Sequence, residues 1–182
     1  MAKVVAVCGM PGSGKGIFGD IAKKLGIPVR SMGDMIRTEV LERGLSENPE
    51  IFGQIAQELR DEFGDGFLAA RLAPIIDNEL GDNSFVIIEG MRGRAERDIF
   101  VQHWGNDFSI VAIVAETETR FSRISDRGRS EDGGRANFSS RDEREIGWGL
   151  EELISNAEHV LQNMGTITEF EQNCTIFLKQ QS

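Results

Sequence analysis

The chain has 182 residues, a formal net charge of −10, 40% hydrophobic and 27% charged residues. That length argues for one domain with a substantial core, and the composition excludes a wholly disordered chain. The acidity leaves no global basic field for nucleic acid. No stretch reaches the roughly 18–20 apolar residues of a membrane span, so no membrane partner is expected. The opening MAKVVAVCGM reads as a buried strand rather than a signal peptide. Cys8, Cys174, His103 and His159 are too scattered for a zinc site or a disulfide framework. A cytoplasmic protein with reduced thiols is expected.

Lys3–Cys8 is apolar and β-branched without alternation, as in a parallel strand covered on both faces. Gly9–Gly16 interrupts it. Ile17, Phe18, Ile21, Ala22 and Leu25 then recur at helical spacing, with Gly26 as the stop. Val29–Met32 is a short second strand, followed by a helix over about 34–43. Asn48–Pro49 caps a strongly amphipathic helix carrying Ile51, Phe52, Ile55, Ala56, Leu59 and Phe63. Gly64 and Gly66 break it, and a further helix runs to about Leu80, bent at Pro74. Phe85–Ile88 and Phe108–Ala115 are buried strands with a helix between them, over about 95–104. Thr117 starts the next helix, Gly128, Gly133 and Gly134 mark a polar loop, and Ser139 with Asp142 has capping-box spacing. His159–Leu161 is a last strand. Thr166 and Glu169 form a second capping box before Ile167, Phe170, Cys174, Phe177 and Leu178.

This alternation predicts an α/β three-layer sandwich with a mostly parallel five-stranded sheet. The chain is then one domain over 1–182, with a helical insertion over about 33–80 and a short lid over about 127–139.

The basic residues are unevenly placed. Fifteen are Arg and five Lys, with no Lys between Lys24 and Lys179, and the segment 120–144 holds seven Arg against five acids. Arg forks suit bidentate phosphate or carboxylate contacts, which points to a local anion site on an acidic body.

Gly9-Met10-Pro11-Gly12-Ser13-Gly14-Lys15-Gly16 follows a strand and opens a helix that continues through Ile17. Its glycines let successive N–H groups face one anion, the helix N-terminus adds positive charge, and Lys15 reaches the outer phosphates. Gly16 stands where the general pattern has a magnesium-binding Ser or Thr. Any magnesium is therefore held through water and by carboxylates elsewhere.

This GxPGxGKG variant resembles adenylate kinases and related nucleoside monophosphate kinases of the phosphate-loop class. The likeness extends over nearly the whole chain. Met32-Gly-Asp34-Met-Ile-Arg37 is similar to their acceptor segment, and Glu89-Gly-Met-Arg92 to their DGFPR. Arg123 and Arg127 match the two arginines that begin the lid, while Arg141-Asp-Glu-Arg144 resembles the run closing it. Asn163-Met-Gly165-Thr166 is similar to the loop beside the donor base. In detail the chain looks most like an archaeal group of adenylate-kinase-related proteins sharing GMPGSGKG and RDEREIGWG.

The resemblance implies ATP and magnesium as cofactors and small-molecule nucleotides as partners. It places Gly9 to Ile17, Arg123, Gly165 and Thr166 on the donor. Asp34, Arg37, Arg92 and Glu96 fall to the acceptor, Glu96 by position facing its base. Glu89 and Asp34 are left for magnesium through water. Lys15, Arg123, Arg127, Arg141 and Arg144 are the catalytic cations. Two other readings stay open: a kinase of dephospho-coenzyme A or another small molecule, and a regulatory nucleotide switch with little transfer activity. Arg71 either pairs with a buried carboxylate or reaches the acceptor.

Overall fold

The computed structural model describes residues 3–127 and 134–181, with Pro49, Glu50 and Arg127 described by their backbone alone. Five strands, β1 (Val4–Cys8), β2 (Val29–Ser31), β3 (Val86–Glu89), β4 (Phe108–Val114) and β5 (His159–Gln162), form one sheet in the order β2-β3-β1-β4-β5. Every pairing is parallel. β1 is buried along its whole length, and β3 and β4 along all but their last residue, which is why they read as unbroken apolar runs.

Their side chains divide by the period of two. Val4, Ala6 and Cys8 of β1, with Val86 and Ile88 of β3, face helices α2 (Met32–Glu42), α3 (Pro49–Phe63), α4 (Phe67–Leu80), α5 (Arg94–Trp104) and α8 (Leu150–Ser155). Val5, Val7, Ile87, Val111 and Ile113 face α1 (Lys15–Lys24) and α9 (Ile167–Gln181). The result is the expected three-layer α/β arrangement. Cys8 and Cys174 are buried and free, and burial pushes both thiols up to about 12, so neither is a nucleophile near neutral pH.

Asn48 caps α3 as expected, its side chain accepting from Ile51 N at 3.0 Å. α4 is continuous through Pro74. One expectation is corrected. Ser139 and Asp142 are no capping box, because the helix that contains them, α7 (Arg135–Gly147), starts at the loop's end and Asp142 is taken by Arg120. The short helix α8 was not foreseen; it is six residues long and follows Gly149, which has φ +94°. Of the loop and lid expected between 127 and 139, residues 128–133 lie outside the described residues, and 135–139 already belong to α7.

Parallel pairing sets Val7 beside Glu89 and Cys8 beside Ala112. The carboxyl ends of β1, β3 and β4 thus meet where the glycine loop begins. Crevices outside such strand ends are where open α/β sheets bind ligands.

Candidate functional site

The loop between β1 and α1 is shaped by glycines that nothing else could replace. Gly12 has φ +78°, and a Cβ there would sit 2.8 Å from the Arg120 carbonyl; Gly14 has φ +115° and would strike Asn163 Nδ2 at 2.5 Å. Ser13 N donates to Met10 O at 3.1 Å, closing the turn. Lys15 folds back over this turn and donates to the carbonyls of Gly9 and of Met10, the latter at 3.1 Å. Burial pulls its ammonium down to about 8, opposed by Glu145 and reinforced by Arg92 and Arg141. Those three charges are therefore close enough to bear on Lys15.

Helix α6 (Thr117–Arg127) grips the loop from the side. Arg120 is buried; it donates to Pro11 O at 2.9 Å and makes a two-pronged pair with Asp142 of α7 at 2.6 and 3.0 Å. Arg123 donates to the backbone and side-chain oxygens of Asn163 at 3.1 and 3.0 Å. Asn163, just after β5, in turn donates to Ser13 O at 2.8 Å. Arg123 Nη1 and Ser13 Oγ are hidden without a hydrogen-bond partner among the described residues.

On the other side, Arg92 lies 3.4 Å from Glu145 and Arg141 lies 3.7 Å from the same carboxylate, which is nearly fully buried. Glu89 ends β3 against α1, and a Cβ on Gly19 would collide with its carboxylate. Its Oε1 is hidden and unpartnered among the described residues, and burial raises its carboxyl above the usual range, Asp20 and Asp34 adding to the rise. An acidic oxygen with no protein donor, near a second carboxylate, fits a water-coordinated magnesium. No tight group of three metal-ligating side chains occurs among the described residues.

Other expected site residues are placed differently. Arg37 pairs with Asp34 at 2.8 Å on the exposed face of α2 and lies over Phe52. Arg144 does not share the face of Arg141 toward Glu145; its guanidinium is 5.4 Å from the Trp148 ring centroid. Glu96 is a correction. It is 2% exposed, and Oε2 accepts from the N–H groups of Arg92 and Gly93 at 2.7 and 3.2 Å, so it fastens the start of α5 instead of facing a base. Gly165 and Thr166 precede α9, where Thr166 and Glu169 form the expected capping box. Arg71 is exposed over the rings of Phe63 and Phe67 and meets neither expectation. The side chain of Arg127 lies outside the described residues.

A family model for the AAA domain matches residues 8–137. A UPF0200 protein of Methanosarcina mazei is 41% identical over 174 residues, covering 95% of this chain and 92% of its own. The chain belongs to the UPF0200 family. A UPF0200/UPF0201 protein of Archaeoglobus fulgidus is 38% identical over 169 residues, and the chain spans only 52% of its length. Among solved structures, a dephospho-CoA kinase from Campylobacter jejuni superposes with a TM-score of 0.61, at 18% identity over 100% of this chain and 98% of that one. This likeness carries the fold, a phosphate-loop kinase-like α/β sandwich.

In this UPF0200 chain, reading the sequence missed Arg120, Arg60 and Glu145. All three are largely buried charges, each with a partner on another element. Only Glu145 carried a local signal, its i,i+4 spacing from Arg141.

Proposed function

We propose that the chain transfers a phosphoryl group from ATP to a small acceptor that already bears a phosphate, of the nucleoside monophosphate class. The observation that carries this reading is the convergence on one loop of Lys15, Arg92 and Arg141 about the buried Glu145. Such an excess of cations beside a glycine loop suits two phosphates facing each other, more than the one phosphate chain of a hydrolase.

An acceptor phosphate is a competent nucleophile, so no general base is needed, and the site supplies none of His or Cys character. The work is positioning and charge neutralisation. Lys15 leaves the carbonyls of Gly9 and Met10 to meet the outer donor phosphates. Arg123 directs its unpartnered Nη1 to the donor while Asn163 holds the rest of the guanidinium. Arg92 and Arg141 exchange Glu145 for the acceptor phosphate, and Asp34 with Arg37 borders the acceptor from α2. Magnesium, held through water by Glu89 and Asp34, would neutralise charge on the transferring phosphates. The helices between β2 and β3 form the acceptor-side insertion, and water, which would otherwise take the phosphoryl group, must be kept from the site during transfer.

A coupled ADP-release screen over the nucleoside monophosphates tests this reading. ADP release should rise well above the ATP-only background with at least one monophosphate. A background unchanged by all of them would favour a nucleotide switch.

A further inference from the structure

A hollow of about 150 Å³ lies beside Arg92, walled by Arg60, Asp65, Arg94, Glu96 and Trp148. Three guanidiniums from three separate elements meet on its indole: Arg60 of α3 at 5.0 Å, Arg144 of α7 at 5.4 Å and Arg92 at 5.9 Å from the ring centroid. One cation on a tryptophan face is favourable; three around one ring repel each other. The nearby carboxylates do not balance them. Glu96 lies 3.6 Å from Arg60 but also serves two backbone N–H groups, and Glu145 is divided between Arg92 and Arg141. Arg144 has no carboxylate within ion-pair distance among the described residues. Arg94 is paired with Asp98 and Glu152, and Asp65 adds one negative charge at the rim.

Arg60, Arg92 and Arg94 thus line the hollow against Glu96 and Asp65, with Arg144 on the same indole, on a chain whose net charge is −10. The Arg60 side chain is only 10% exposed. Holding a guanidinium out of water beside other cations is costly unless an anion completes the set. The walls also rule on what kind of ligand fits. Their side chains offer three guanidinium forks, while Glu96 is taken up by Arg60 and two backbone N–H groups and Asp65 sits at the exposed rim, so the free inward donors suit a phosphate. The hollow is below the roughly 300–1,000 Å³ of pockets that enclose a whole drug-sized ligand.

We propose that this hollow is a second anion subsite for the acceptor, taking a phosphate distinct from the one that is phosphorylated. The acceptor is then a small molecule with two separated phosphates, of the nucleoside bisphosphate class. This rests on the reading of Arg92 as an acceptor contact.

The test is calorimetric binding to the full chain, with the donor loop saturated by a non-hydrolysable ATP analogue. The probes are AMP, adenosine 2′,5′-bisphosphate and adenosine 3′,5′-bisphosphate. At least one bisphosphate should bind about tenfold or more tighter than AMP, the gain expected of one charge-assisted phosphate contact. Arg60→Gln and Arg144→Gln should each shrink that ratio to near unity. Arg144→Gln breaks no ion pair among the described residues, which keeps the test decisive if Arg60→Gln does not fold. Bisphosphates binding no tighter than AMP, or a ratio that survives Arg144→Gln, would overturn the subsite. A bisphosphate that binds where AMP does not would support the subsite and refute the monophosphate acceptor.

Discussion

The pair between Arg120 and Asp142 should govern both stability and nucleotide binding. Replacing Asp142 with Asn keeps the shape and removes the charge opposite a guanidinium whose side chain is 5% exposed, Asp142 itself being 13% exposed. Removing one partner of a buried pair costs roughly 3–5 kcal/mol. Asn keeps one acceptor oxygen and the site is not wholly dry, so about 3 kcal/mol is expected here. For a chain of this size each kcal/mol moves Tm by roughly 2–4 °C, so the loss should be about 6–12 °C. Because the same guanidinium holds Pro11 O at 2.9 Å, ATP affinity should fall as well. Scanning calorimetry with and without ATP measures both effects. Glu118→Gln is the control: it breaks the exposed pair with Arg135 and should leave Tm within error. If Asp142→Asn and Glu118→Gln behave alike, the assignment of Arg120 as the buried tie between the glycine loop, α6 and α7 is wrong.

Lys15→Ala should lower transfer by about 10²–10³-fold or more while the fold survives, since it removes the charge facing the outer phosphates; near-normal turnover would refute the phosphate-loop role. Lys15 also sets a pH dependence. In the unliganded chain its proton leaves as pH rises through about 8, and phosphate binding restores it. ATP binding should therefore take up a proton above pH 8 and weaken by up to about tenfold per pH unit, measured by titration calorimetry in buffers of different ionisation enthalpy. Pure pH independence between 7 and 9 would contradict it. Arg92→Ala should raise the acceptor KM by roughly 10-fold or more, the worth of a charged hydrogen bond, with donor affinity changed far less; steady-state kinetics with each substrate varied separates the two.

What was legible in the sequence is what is local. The unbroken Val4–Cys8 run, the glycine loop, and the stripe of Ile55 and Leu59 on α3 each imply their own burial, and all three are found. Tertiary pairing was not legible. The arginines of 120–144 look alike in the sequence, but the fold sorts them by partners 22 and 40 residues away, Asp142 for Arg120 and Asn163 for Arg123. The same pull of a distant partner undid the Ser139–Asp142 cap. Glu96 was misjudged for the opposite reason. Its place three residues after Gly93 is that of a residue reaching back to the N-cap N–H, a local signal outweighed by the position implied by resemblance.

The reading of this site as a phosphoryl-transfer centre is tested most directly by following the γ-phosphoryl group itself. Full chain is mixed with γ-labelled ATP, magnesium and a nucleoside monophosphate in a single-turnover experiment, and the products are separated. The account predicts label in the acceptor, formed faster than labelled inorganic phosphate and lost in Lys15→Ala. Label appearing only as inorganic phosphate, at a rate indifferent to every acceptor offered, would contradict it.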